Sequence, residues 1–181
     1  MSFHTDLLRF EVGLASADVL PNVAVDALER GVDSPGLRLL ASYSLIPYDS
    51  YGVEAAYRQV RRELPDFAPP RQEAAFCLLE TLLEEIVSGH VAPDVGVGRI
   101  VNDVYRQCGW DDRNVRCVGD SLGIELLYGL WDAIDDLREA GHPFQPPRSN
   151  SELIHEAIDD IRTEAARLLA ARPWRHAHSA A

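Results

Sequence analysis

Lysine is missing from this chain of 181 residues: all 17 basic residues are arginine. Codon usage in a GC-rich genome is the economical explanation, and the chemical consequence holds whatever the origin. Schiff-base catalysis, a P-loop lysine and a Ser-Lys pair are all excluded. Cysteine is scarce, at Cys77, Cys108 and Cys117. Cys77 falls in a helical pattern and reads as a small apolar core residue. Cys108 and Cys117 flank the loop GWDDRNVR, and even with His142 they fall short of the four ligands of a structural zinc site, so neither metal nor cofactor is expected. No apolar run approaches the ~18 residues of a membrane span. The opening MSFHTDLLRFEVG has an early acid and no signal-peptide pattern. A soluble, reduced, cytoplasmic protein is the expectation. There is no G-x-S-x-G elbow and no cysteine paired with a histidine in a recognisable pattern, so nucleophilic catalysis has no visible machinery. Alternating strand residues and fixed-period repeats are lacking too, and the only room for short strands is in the loops at 43–48 and 110–118.

What the chain does contain is apolar residue and acid. Hydrophobic residues make up 46%, a globular value, and the formal net charge is -12. That charge repels phosphates, which argues against nucleic acid and against anionic membrane surfaces as partners.

Helical periodicity runs almost throughout. Patterns lie at 6–15, from Pro21 to Arg30, from Pro35 to Tyr43, and from Asp49 or Ser50 to Leu64 with Val53, Ala56, Tyr57, Val60 and Leu64 on one side. Arg58, Arg61 and Arg62 lie away from that stripe and read as a solvated face. Pro65, Pro69 and Pro70 interrupt the chain. A wide apolar face then runs from Pro70 to Val87, and a further helix from Pro93 to Gln107. Its Gly96-Val97-Gly98 follows no strand and lacks the third glycine of a dinucleotide loop, so it reads as glycines that let two helices approach. Ser149-Asn150-Ser151-Glu152 is a capping box opening a helix to Ala171, whose Ile154, Ile158, Ile161, Ala165 and Leu168 make a narrow seam. That seam suits packing along another helix, including a second copy in a homodimer. The predicted fold is all-α, an orthogonal or irregular bundle of seven to eight helices in a single domain, with a possible break near 65–70.

Gly119–Gly141 is the predicted central helix, about 33 Å long if continuous. Leu122, Leu126, Leu127, Leu130, Ala133, Ile134 and Leu137 lie on one flank. Glu125, Asp132, Asp135, Asp136 and Glu139 fall within an arc of about 100° on the other. Four of these acids crowd the C-terminal end, where the helix dipole disfavours them by about 0.3–1 kcal/mol each when exposed.

Three further patterns bear on metals. Asp135-Asp136-Leu137-Arg138-Glu139 resembles the aspartate-rich motif of isoprenoid-processing enzymes, which implies magnesium-diphosphate binding. The second motif of those enzymes is poorly matched at Asn102–Gln107. A small helical pyrophosphatase would instead use Glu80, Glu84 and Asp103 or Asp120, but the pattern puts Glu80 and Glu84 opposite the apolar face. Glu152-x-x-His155 matches one element of a di-iron bundle whose second copy is absent. The N-terminal third, in Ala27–Pro35 and Leu37–Ala41, resembles helical proteins of high-GC actinobacteria, as does Ile86–Pro93. That resemblance implies a helical fold and no activity. The expected function is therefore a non-enzymatic protein-interaction module, an adaptor, scaffold or inhibitor, presenting Glu125, Asp132, Asp135, Asp136 and Glu139 to a basic protein. A metal-dependent phosphate-ester or diphosphate hydrolase is the alternative.

Overall fold

Each helix of the computed structural model starts or stops where backbone chemistry requires. The structure describes residues 3–47, 49–107, 117–119, 121–139 and 149–177. Among them the chain is all-helical, without a strand: α1 (Phe3–Val12), α2 (Leu20–Glu29), α3 (Pro35–Ser42), α4 (Ser50–Glu63), α5 (Arg71–Val87), α6 (Pro93–Arg99), α7 (Glu125–Glu139), α8 (Asn150–Ala171) and α9 (Pro173–Ala177). No described helix is long and apolar enough to cross a membrane. The chain divides into two compact units, Met1–Leu78 and Leu79–Ala181, and α5 passes from one into the other.

In the first unit α2 packs against α1 and α3, and α3 against α4. Leu7, Leu20, Val23, Ala24, Ala27, Leu37, Leu40, Val53, Ala56 and Val60 form its core. Side chains of the expected type supply missing hydrogen bonds at the helix starts. Ser34 Oγ accepts from Leu37 N at 3.1 Å, and Asp49 Oδ1 from Gly52 N at 3.1 Å. Gly36 is needed for a different reason, since a Cβ there would lie 3.0 Å from the backbone nitrogen of Val60, so its absence lets α3 close on α4. The Phe10 and Tyr57 rings meet edge to face at 5.3 Å. The Tyr57 hydroxyl donates to Glu11, and burial together with that carboxylate pushes the phenol well above its ordinary range.

In the second unit α7 and α8 lie along one another, and α6 packs against both. Ile161, Ala165 and Leu168 of α8 are fully buried, and burying each large aliphatic side chain is worth about 1.5–3 kcal/mol. The capping box forms as the sequence implies: Glu152 N donates to Ser149 Oγ, and Ser149 N to Glu152 Oε2 at 2.8 Å. Asn150 Nδ2 reaches back to Leu137 O at 2.9 Å and satisfies a carbonyl in the last turn of α7. After α6 the chain continues, without a break, as a π-helical stretch over Ile100–Arg106 that buries Ile100, Val101, Val104 and Tyr105. Gly96 faces Ile86 so closely that it serves close packing, whereas at Gly98, facing Trp131, a Cβ would make an ordinary contact.

Two expectations are corrected. The central helix starts at Glu125 instead of Gly119, because Gly119 and Gly123 both take positive φ (88° and 70°), which closes a turn with Ile124 N donating to Gly119 O at 3.1 Å. The helix is therefore about 22 Å long. Of its supposed apolar flank, Leu126 and Ala133 are exposed, while Leu127 and Ile134 form the buried contact.

Candidate functional site

The outer surface of α7 is the sequence-predicted site, and Glu125, Asp132, Asp135, Asp136 and Glu139 are all exposed there. They are not equivalent. Glu125 is close enough to Arg167 of α8 to stabilise its cation, and Asp135 lies 3.9 Å from Arg138. Arg138 itself is drawn to Asp94 of α6 at 2.6 Å. Burial pushes the Asp94 carboxyl up, but hydrogen bonds from Arg138 and the Val95 backbone, with the guanidinium charge, bring it below its ordinary value. Asp132, Asp136 and Glu139 have no ion-pair partner among the described residues, and they recur at intervals of four and three along one line of the helix.

Beside that line the helix is nearly bare. Leu126 is 54% exposed, Ala133 is exposed, and a Cβ placed on Gly129 would meet nothing within 4 Å. The face thus combines a row of carboxylates with a shallow apolar strip. Along α8, a shallow open depression of about 800 Å³ is lined by Glu152, Glu156, Asp159, Asp160, Ile154 and Ile158. The seam of α8 is consequently divided in use: its C-terminal half is buried within the unit, and Ile154 and Ile158 remain half-exposed.

The carboxylates of the hydrolase alternative are placed differently. Glu80 was expected on an exposed face; instead its side chain is 14% exposed and tied to the C-terminal helix. Its Oε1 accepts from Arg175 Nε at 2.7 Å and Trp174 Nε1 at 3.3 Å, with Arg172 Nε at 3.8 Å. Glu84 is exposed. Asp120, Cys108 and His142 lie outside the described residues, and Cys117 is exposed. Among the described residues, no group of three or more His, Cys, Asp or Glu is placed to hold a metal ion. Glu152 is engaged in the capping box, while His155 faces Asp159 at 3.9 Å.

Sequence reasoning missed the Glu80–Trp174–Arg175 cluster. Pro173 was the available signal, since it separates α9 from α8 and permits Trp174 to turn into the unit, where it is fully buried. The expected basic patch also divides. Arg58 pairs with Glu54 at 3.6 Å in solvent, whereas Arg61 is half-buried, donates to Ala68 O and lies 3.9 Å from Glu11.

No family model matches this chain, and no curated protein or solved structure matches it.

Proposed function

We propose that this protein is a non-catalytic helical interaction module whose second unit recognises a basic protein through the outer face of α7. One observation carries this reading: Asp132, Asp136 and Glu139 stand in a row without ion-pair partners among the described residues, the last two in the final turn of α7 where the dipole disfavours them, on a helix that also exposes Leu126. Folding gains nothing from that arrangement, while a cationic partner gains steering and specificity from it. The apolar strip supplies the contact from which water would be expelled, and the acids supply the rim.

The test is an affinity capture from the native host with the wild-type chain and with a variant carrying D132N, D136N and E139Q. A partner that binds the wild type, weakens with rising salt and is lost from the variant supports the module. If every captured protein binds both chains equally at low and high salt, the acidic face has no such role. The hydrolase alternative is approached by thermal shift with magnesium, with and without nucleotides: a magnesium-dependent rise abolished by those three substitutions would move the assignment to it.

A further inference from the structure

At the C-terminal end of α4 the first unit has a cleft of about 400 Å³, lined by Val32, Glu63, Leu64, Pro65, Asp66 and Phe67. Its volume is in the range of small-ligand sites, and its walls have the usual composition, apolar with a few polar groups. Four of the six residues are apolar, and Val32 is 39% exposed at the edge. The polar groups are both carboxylates, and they differ in how far they are committed. Glu63 spends Oε1 on Gln59 Nε2 at 2.6 Å and Oε2 on Gly36 N at 2.7 Å. Those hydrogen bonds, led by that of Gln59 and joined by one from Ser34, hold its carboxyl below the ordinary value, so it carries its charge at neutral pH.

Asp66 is uncommitted, with no hydrogen bond or ion pair among the described residues. It is held in place all the same. Phe67 N donates to Leu64 O at 3.0 Å, which closes a turn with Pro65 at its second position and Asp66 at its third. The end of α4 adds the negative pole of a 14-residue helix. Among the described residues neither nearby arginine pairs with Asp66. Arg61 turns to Ala68 O and Glu11, and the charge of Arg62 acts on Glu63.

We propose that this cleft binds a guanidinium group on a short aliphatic stem, the stem lying between Val32, Leu64 and Phe67 and the planar fork meeting Asp66. A guanidinium matches a carboxylate with two parallel hydrogen bonds, which a compact ammonium does not. The same chemistry is offered by a free alkylguanidine and by an arginine side chain on another protein. The site is separate from α7, so it stands or falls independently of the interaction face there.

The test is an amide-resolved NMR titration of the full chain with n-butylguanidinium, with n-butanol as the neutral match and an acetyl-Gly-Arg-Gly-amide peptide as the second source. Saturable shifts at the amides of Val32, Glu63, Leu64, Asp66 and Phe67 with the guanidinium, absent with butanol, support the site. In D66N, which removes charge from an exposed turn and leaves the Glu63 contacts intact, affinity should fall about tenfold, the worth of one charge-assisted pair. Peptide binding at least as tight as butylguanidinium points to a protein arginine; binding of butylguanidinium alone points to a free ligand. Equal shifts with butanol, no saturable shifts in the cleft, or unchanged affinity in D66N would each overturn the proposal.

Discussion

Burial and three partners, two donors and a further cation, pull the Glu80 carboxyl in opposite directions, and the partners win. Desolvation raises it, but hydrogen bonds from Arg175 and Trp174 and the charges of Arg175 and Arg172 bring it below its ordinary 4.5. A carboxyl lowered in the folded state contributes stability that is fully present above its unfolded value and lost as pH falls through the folded one. Glu80→Gln should therefore cost about 1.5–3 kcal/mol at neutral pH, the range for a hydrogen bond to a charged group. The gap between E80Q and wild type, measured by urea unfolding, should close as the pH drops below about 4.5. A gap that stays constant with pH would mean the ion pairs contribute nothing. Gly129 offers a second residue-scale test, because its place on α7 is open. Gly129→Ala should stabilise the free protein by about 0.5–1 kcal/mol, and any loss of partner binding alongside that gain would locate the partner on this face. Neither position was evident as a determinant in the sequence. Glu80 repeats at helical spacing with other acids, and only the return of Trp174 in three dimensions gives it a distinct role.

Helix by helix, periodicity and punctuation located most elements, because the caps and the apolar stripes agree. Ser149 with Glu152, Asp49 with Gly52 and Ser34 with Leu37 are short-range hydrogen bonds, and short-range chemistry can be read from adjacent letters. What escaped depends on backbone states that the pattern leaves open. A helix through Gly119–Ile124 and the turn that replaces it both account for an apolar Leu122, and the positive φ of two glycines decides between them. The π-helical stretch at Ile100–Arg106 keeps Ile100, Val101, Val104 and Tyr105 inside with one extra residue per turn, which an α-helical wheel cannot distinguish. Packing between elements yields a paired prediction. A Cβ at Gly96 would lie 2.4 Å from Ile86 Cγ1 in a fully buried place, so Gly96→Ala should cost about 1–3 kcal/mol. At Gly98 the nearest atom would be 3.4 Å away, on Trp131, so Gly98→Ala should be neutral or mildly stabilising. Thermal melts of the two variants give the comparison, and equal effects would contradict the packing described for α6.

At the scale of the whole molecule, the net charge of -12 is a self-repulsion that the fold must overcome. Raising ionic strength from about 0.01 to 0.15 M shortens the screening length from about 30 to 8 Å, so the melting temperature should rise with sodium chloride over that range. A falling melting temperature would show that attractive pairs such as Arg138–Asp94 outweigh the repulsion. Composition made the acid excess legible and periodicity the all-α class, but neither showed where the acid would be left without arginine. That required knowing that Arg138 is turned toward Asp94 and Arg167 toward Glu164.

The burial of Trp174 also gives the protein an optical gauge of its own C-terminal end. An indole fully removed from water emits at short wavelength and is shielded from dissolved quenchers, and this one is fastened to Glu80 through its N–H. In a chain with Trp110 and Trp131 replaced by phenylalanine, Trp174 would be the sole emitter. A red shift and a gain in acrylamide quenching on acidification, ahead of the loss of far-ultraviolet ellipticity, would report α9 lifting away before the helices themselves melt.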